Sequence, residues 1–452
     1  MPLQTTDANA LKAKIAELMP QVRADLEELV RIPSINFPGY DTDDVIRGAQ
    51  ACAELLRQAG ADPQLIPSSS GVPTVRADIA GPPGSPTVLL YSHYDVQPAG
   101  DETKWTSEAF EPQERDGRIY GRGAADDKSG VITHIAVVRA FEGKPPVNLR
   151  ILLEGEEEYG GDFEEWPTTN PEVFTDLDAA VICDMGNVEL GQPTFTTQLR
   201  GIIEGGVTVS TLAEPRHSGM FGGPAPDALM VLIKLLNTLM DDEGNPTIEG
   251  ISGSDWAGAE YPEQAYRELA GVLPGVPLIG SGSVASRLFS KPAVSVVGLD
   301  APAVATAPNA IIPTAKAKVS VRIPAGIDGE QATELLATHI HKHAPFGVPV
   351  DFEPGVPANG SAVPVGGPAY EAFSAAMDFA YGRPATEQGA GGAVPFVANL
   401  IEAFPDLEVL GVGAQDPLAR IHAPNESIQV QELQESIVAE AVFLSEFAAR
   451  RA

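Results

Sequence analysis

The chain has 452 residues, 43% of them hydrophobic and 20% charged, enough apolar material for one large core and a second, smaller one. Its 62 acidic against 29 basic residues leave a net charge of −33, which opposes binding to nucleic-acid phosphates or to an anionic membrane surface. No stretch approaches the ~18 apolar residues of a membrane span. Two cysteines without CxxC spacing, Cys52 and Cys183, predict no structural disulfide and a reducing, cytoplasmic setting.

At the amino terminus Leu11, Ile15, Leu18, Met19, Val22, Leu26, Leu29 and Val30 recur at helical spacing among charged residues. That predicts an amphipathic helix, where a secretion signal would need an unbroken apolar stretch. A strand–helix rhythm follows to about residue 195, the pattern of a doubly wound sheet. In it the apolar run Val88-Leu89-Leu90-Tyr91 leads into Ser92-His93-Tyr94-Asp95-Val96. An imidazole that ligates a metal needs its second ring N–H held, and a carboxylate two residues on can hold it. The other reading of His93 is a hydrogen-bonded core histidine.

Next, Gly121-Arg122-Gly123-Ala124-Ala125-Asp126-Asp127-Lys128 sets two adjacent acids ahead of a helical pattern through Val131, Ile132, Ile135 and Val138. Adjacent carboxylates repel unless a cation lies between them, although acids in a first helical turn also suit the helix dipole. The β-rich run Leu149-Arg150-Ile151-Leu152-Leu153 then delivers Glu156, Glu157 and Glu158 to one edge of a sheet, and Ala180-Val181-Ile182-Cys183 ends in Asp184. Ligands bind at the carboxyl ends of strands in parallel α/β sheets.

From Thr196 the texture changes. Strands near 202–210, 293–299, 315–323 and 348–353 and helices near 226–241 and 328–343 predict a small α+β lid inserted into the first domain. The segment 245–290 is a long excursion within it. We therefore divide the chain into 1–195 and 359–452, a catalytic domain in two parts, and 196–358, a lid and dimerisation domain. After 360, Val409-Leu410-Gly411-Val412-Gly413 precedes a loop with His422, and Val430, Leu433, Ile437, Val438, Ala441 and Leu444 mark a closing amphipathic helix. Two histidines and several carboxylates at the ends of separate strands are the donor set of a divalent-metal site in which one carboxylate bridges two ions.

Taken together and in order, these segments, with Arg216-His217-Ser218-Gly219 and His422-Ala423-Pro424-Asn425-Glu426, resemble the M20 metallopeptidases. That family includes carnosinase-like dipeptidases, carboxypeptidase G-type enzymes, aminoacylases and succinyl-diaminopimelate desuccinylases. The resemblance runs from Ile32-Pro33-Ser34 to the last helix, and the excursion at 245–290 resembles the dipeptidase branch. It implies an α/β fold in which a doubly wound mixed sheet forms the catalytic domain, with the lid inserted. It also implies two divalent ions, zinc first with manganese or cobalt as alternatives. Asp126 would bridge them, His93 and Asp184 would complete one site, and Glu158 and His422 the other. Glu157 becomes the general base, Asp95 the group orienting His93, and the Asp126–Asp127 peptide is expected to be cis.

His217 matches the family histidine that reaches the oxyanion, commonly from the neighbouring subunit, which implies a homodimer. By itself it reads as a polar loop residue. Asn309, Arg322 and Gly392 match positions that bind the substrate end, and an arginine can grip a carboxylate bidentately. Arg322 by itself reads as an outward strand residue. Gly391-Gly392-Ala393-Val394-Pro395 departs from the family's Gly-Gly-Ser-Ile-Pro, and Ala393 lacks the hydroxyl. The implied activity is cleavage of the amide bond of dipeptides or short peptides with a free C-terminal carboxylate, by a hydroxide shared between the ions. An N-acyl-amino-acid deacylase and a catalytically silent metal- or peptide-binding protein are the alternatives.

Overall fold

The apolar spacing at the amino terminus produces the helix Thr5–Val30, which buries Ile15, Met19, Val22, Leu26, Leu29 and Val30. Burying each such large side chain contributes about 1.5–3 kcal/mol. The computed structural model describes residues 5–392 and 394–451, so Ala393 lies outside the described residues. The chain divides into two compact units, one of residues 1–197, 363–388 and 399–452, the other of 198–362 and 389–398.

The first unit is built on a mixed sheet, as the strand–helix rhythm and the resemblance imply. Thr87–His93 lies between Asn148–Glu154 and Ala179–Ile182 and runs parallel to both. Glu408–Gly411 continues the parallel set beyond Ala179–Ile182. Pro73–Ile79 pairs antiparallel with Asn148–Glu154, and Gln64–Pro67 pairs antiparallel with Pro73–Ile79. The parallel strands are apolar at successive positions because both faces of such a sheet are covered. Helix Lys128–Ala140 is buried nearly all round, which explains its lack of a polar face. It shares its core with Thr5–Val30 and the closing helix Val430–Arg451, where Leu433, Ile437, Phe443 and Phe447 are buried. A three-stranded antiparallel sheet ties Ser427–Gln429 to Arg118–Tyr120 and Gln113–Arg115. It anchors the segment that follows His422.

The second unit is a four-stranded antiparallel sheet in the order Ala293–Asp300, Thr314–Ile323, Gly201–Ser210, Val350–Pro354. Burial alternates along Gly201–Ser210 because only one face is covered. There Ile203, Val207 and Val209 share a core with Val231, Leu232 and Leu235 of helix Ala228–Leu236 and with Leu336 and Ile340 of helix Gly329–Lys342. The first of these helices is shorter than its apolar pattern predicts. It starts at the N-cap Asp227, whose carboxylate accepts from Met230 N–H at 3.0 Å, and after Leu236 it tightens into the 3₁₀ turn Asn237–Leu239.

The segment 245–290 carries helix Glu263–Leu269 and the π-turn Ser286–Ser290. Two boundaries move relative to the sequence reading. Ser361–Ala362 pairs with Gln198 and Leu199, which carries the second unit to residue 362. Residues 389–398, assigned from sequence to the closing part of the chain, group with the second unit, where Ala390 O accepts from the backbone N–H of Arg200 at 3.2 Å. Among the described residues no helix is long and apolar enough to cross a membrane.

Candidate metal centre

His93 is the last residue of its parallel strand, Glu157 and Glu158 follow the end of Asn148–Glu154, Asp184 follows Ala179–Ile182, and His422 lies beyond Glu408–Gly411. Four strands that run the same way therefore deliver their donors to one edge of the sheet. Asp126 comes to the same place from the turn ahead of helix Lys128–Ala140. Its neighbour Asp127 caps that helix by accepting from Gly130 N–H at 3.2 Å, and the Asp126–Asp127 peptide is cis.

The donor atoms form two groups, His93 with Glu157 and Asp184, and Asp126 with Glu158 and His422, each with its atoms within 4.8 Å of one another. Asp126 joins the two groups. Its Oδ1 lies 3.2 Å from His93 Nε2 and its Oδ2 lies 3.0 Å from His422 Nε2. His93 Nε2 is also 3.8 Å from Asp184 Oδ1, and His422 Nε2 is 3.3 Å from Glu158 Oε2. On its other side His93 Nδ1 faces Asp95, 3.1 Å from the carbonyl and 3.3 Å from the carboxylate. The Asp95 carboxylate in turn accepts from the backbone N–H groups of Glu157 and Glu158, at 3.3 and 3.0 Å. One buried carboxylate thus fixes both the first imidazole and the turn that carries two acids.

Charge in this cluster is unbalanced. Burial, and then the charge of Asp126, push Asp184 up to about 6. Glu157 rises well above the carboxylate range through burial and the charges of Asp184, Glu158 and Asp126, which outweigh the opposing effect of His93. Burial opposes protonation of His93, but hydrogen bonds to Asp126, Asp184 and Asp95 raise its pKa well above the ordinary value. Hydrogen bonds to Asp126 and Glu158 take His422 up to about 10. Four carboxylates crowded on two imidazoles suit divalent cations, and protons occupy the places that cations neutralise. Among the described residues a third group, His134, Cys183 and Glu440, differs. Both ring nitrogens of His134 are taken by protein, Nδ1 by Glu440 Oε1 at 2.9 Å and Nε2 by the Tyr91 carbonyl at 3.1 Å, so it pins helices to the sheet.

Residues 89–446 match the peptidase family M20/M25/M40. The chain belongs to this family. It is 37% identical over 430 residues to a cysteinylglycine-S-conjugate dipeptidase of Corynebacterium striatum, covering 93% of this chain and 94% of that protein. It is 28% identical over 356 residues to the Cys-Gly metallodipeptidase DUG1 of Saccharomyces cerevisiae, covering 72% and 74%. In fold it matches the yeast dipeptidase Dug1p with a TM-score of 0.83 at 24% identity over 98% of each chain. It matches human carnosine dipeptidase 1 with a TM-score of 0.82 at 22% identity over 98% and 99%. The protein is an M20 metallopeptidase of the dipeptidase kind, and the family implies divalent metal ions.

Three residues of this M20 centre received no role from the sequence, although Glu426 lies within the His422–Glu426 motif. Gln97 donates to Glu158 Oε2 at 2.7 Å and Gln415 to Asp184 Oδ1 at 3.1 Å. Glu426 accepts from the backbone N–H groups of Ala125 and Asp126 at 3.0 and 3.1 Å and from Arg122 at 2.5 Å. All three sit within a few residues of a predicted ligand or metal-bearing strand. That proximity was the available signal.

The remaining predicted residues belong to the second unit. His217 pairs with Ala310 in a two-residue bridge, and Asn309 O accepts from the Ser218 backbone N–H at 3.1 Å, so His217 and Asn309 are neighbours there. The His217 ring is exposed, and its Nδ1 accepts from Gly219 N–H at 3.1 Å. Arg322 lies on Thr314–Ile323, half-buried, and its charge acts on Arg200. Gly392 is exposed within the segment 389–398.

Proposed function

We propose that this M20 protein hydrolyses the amide bond of dipeptides or short peptides with a free C-terminal carboxylate, using two divalent metal ions, zinc first. The observation that carries this reading is the division of Asp126, one oxygen toward His93 and the other toward His422, which is what a carboxylate shared by two ions requires. His93, Asp126 and Asp184 would hold one ion, and Asp126, Glu158 and His422 the other. Bound there, such ions supply Lewis acidity that brings the pKa of water toward neutrality and polarises the scissile carbonyl.

The chain's own groups do the rest. Asp95 orients His93 and the turn bearing Glu157 and Glu158. Glu157 is not needed as a ligand in this assignment, and burial among other carboxylates makes it a stronger base than an exposed glutamate. It takes the proton of the attacking water and returns it to the departing amine. In the same reading Asn309, Arg322 and the backbone of Gly392 bind the substrate end, and His217 of the partner subunit donates to the oxyanion. The Nδ1 of His217 is occupied by Gly219 N–H, which leaves Nε2 as the donor. A homodimer is supported by the lid's edge strand Ala293–Asp300, where Val296, Val297 and Leu299 are 47%, 56% and 49% exposed. The buried, free thiols of Cys52 and Cys183 suit a reducing cytoplasm.

A panel of dipeptides, with Cys-Gly and its S-conjugates first, assayed beside N-acyl amino acids with added Zn²⁺, Mn²⁺ or Co²⁺, tests this reading. Turnover of dipeptides is expected. Turnover of acyl amino acids alone would make it a deacylase, and no turnover with any metal would make it a binding protein.

A further inference from the structure

Within the second unit lies a cavity of about 750 Å³, in the usual range of small-molecule sites of about 300–1,000 Å³. Its walls are mostly apolar, with Met240, Ile251, Val276, Leu278, Ile279 and Leu288 among them, and it contains none of the metal-donor residues. Three cations also line it, Arg200, Arg287 and Lys291.

Arg200 is 7% exposed. Its guanidinium donates to the carbonyls of Arg287 and Lys291 at 3.2 and 3.4 Å, and its Nε–H is buried without a partner among the described residues. Burial, and then the neighbouring Arg322 charge, push its pKa down to about 10. Arg287 likewise donates to carbonyls, those of Ser283 and Ile279 at 3.3 and 2.9 Å. Lys291 meets the Ser281 carbonyl at 3.1 Å and Asp255 at 2.9 Å, and the Asp255 side chain is 82% exposed. In a chain with 62 acids and 29 bases, three cations around one cavity find, among the described residues, a single and exposed carboxylate. A buried guanidinium without an anion is costly, and an anionic ligand removes that cost.

We propose that this cavity binds a small organic carboxylate with an apolar body, Arg200 and Arg287 holding the carboxylate and the apolar walls taking the alkyl or aryl group. The site is complete without the metal centre and does not rest on the peptidase reading.

Titration calorimetry of the full-length chain with 4-phenylbutyrate and with octanoate, each beside its uncharged primary amide, tests it in metal-loaded and EDTA-treated protein. Saturable carboxylate binding in both forms is expected, with the amides weaker by about tenfold or more, the worth of a charge-assisted hydrogen bond. Arg287→Leu should weaken the carboxylates by a similar factor, and Arg287→Lys should restore part of the loss. Equal binding of acid and amide, no saturable binding, or binding that disappears with the metals would overturn the proposal. The acid–amide comparison on the unaltered protein decides even where a variant fails to fold.

Discussion

Asp126 is the side chain on which the charges of the centre converge. Burial works against its ionisation, yet hydrogen bonds from His422 and His93 outweigh that and keep it charged. Asp126→Ala removes a donor from both groups and leaves the remaining carboxylates repelling one another. Metal content measured by elemental analysis should then fall at both sites, and a variant that keeps two ions per chain would contradict the shared ligand. Glu157→Ala should behave differently, keeping metal and fold while kcat falls by roughly 10²-fold to 10⁴-fold, the usual contribution of general acid–base catalysis. Loss of metal in that variant would exchange the roles of Glu157 and Glu158.

His422 yields a pH prediction at the same scale. In the metal-free protein its pKa is raised to about 10 from 6.5, so it carries a proton at neutral pH. The stability that proton brings is complete below about 6.5 and is lost as pH rises through about 10. The Tm of metal-free protein, relative to that of His422→Ala, should therefore fall over this window. Metal binding at pH 7 must displace the proton, so the binding heat should change with the ionisation heat of the buffer. A heat independent of buffer would sink this assignment.

At the scale of elements, the centre depends on loops held to a rigid sheet. Glu426 sits in the stretch between His422 and strand Ser427–Gln429, and it grips Arg122 and the Asp126 backbone at once. Arg122 is 1% exposed, so Glu426→Ala strands a buried guanidinium. Breaking such a pair typically costs about 3–5 kcal/mol. Denaturant unfolding of that variant should show a loss of this order together with weaker metal binding, whereas Glu426→Gln should retain part of both. Unchanged stability in Glu426→Ala would show that the pair anchors nothing.

For the molecule as a whole, the base Glu157 belongs to the first unit and the proposed oxyanion donor His217 to the second. If the donor comes from a partner subunit, mixing inactive His217→Ala with inactive Glu157→Ala protein should restore activity. A mixed dimer then contains one site with both groups intact. Subunit exchange demonstrated by mass, with no activity regained, would place His217 at the centre of its own chain.

Much of the centre was legible because each donor is adjacent in sequence to the strand or turn that positions it. His93 ends an apolar run, Asp184 follows another, and Asp126 precedes a helix buried nearly all round, so local pattern made them candidates and the family resemblance gave them roles. The mixed sheet was legible for the same reason, since doubly covered strands are apolar without alternation. Other features depend on partners far along the chain. Glu426 gains its role only by meeting Arg122 and Asp126, some 300 residues earlier, and Gln415 only by reaching Asp184. Residues 389–398 group with the second unit, where Ala390 hydrogen-bonds to Arg200, and such contacts leave no mark on composition. The sequence by itself carried the motifs that resemble the family and marked candidate donors at the ends of apolar runs, because these reside in short local segments. Only the tertiary structure decided which distant polar groups hold those donors, and that the cations of the second unit line one cavity, because long-range contacts follow from packing and have no periodicity to read.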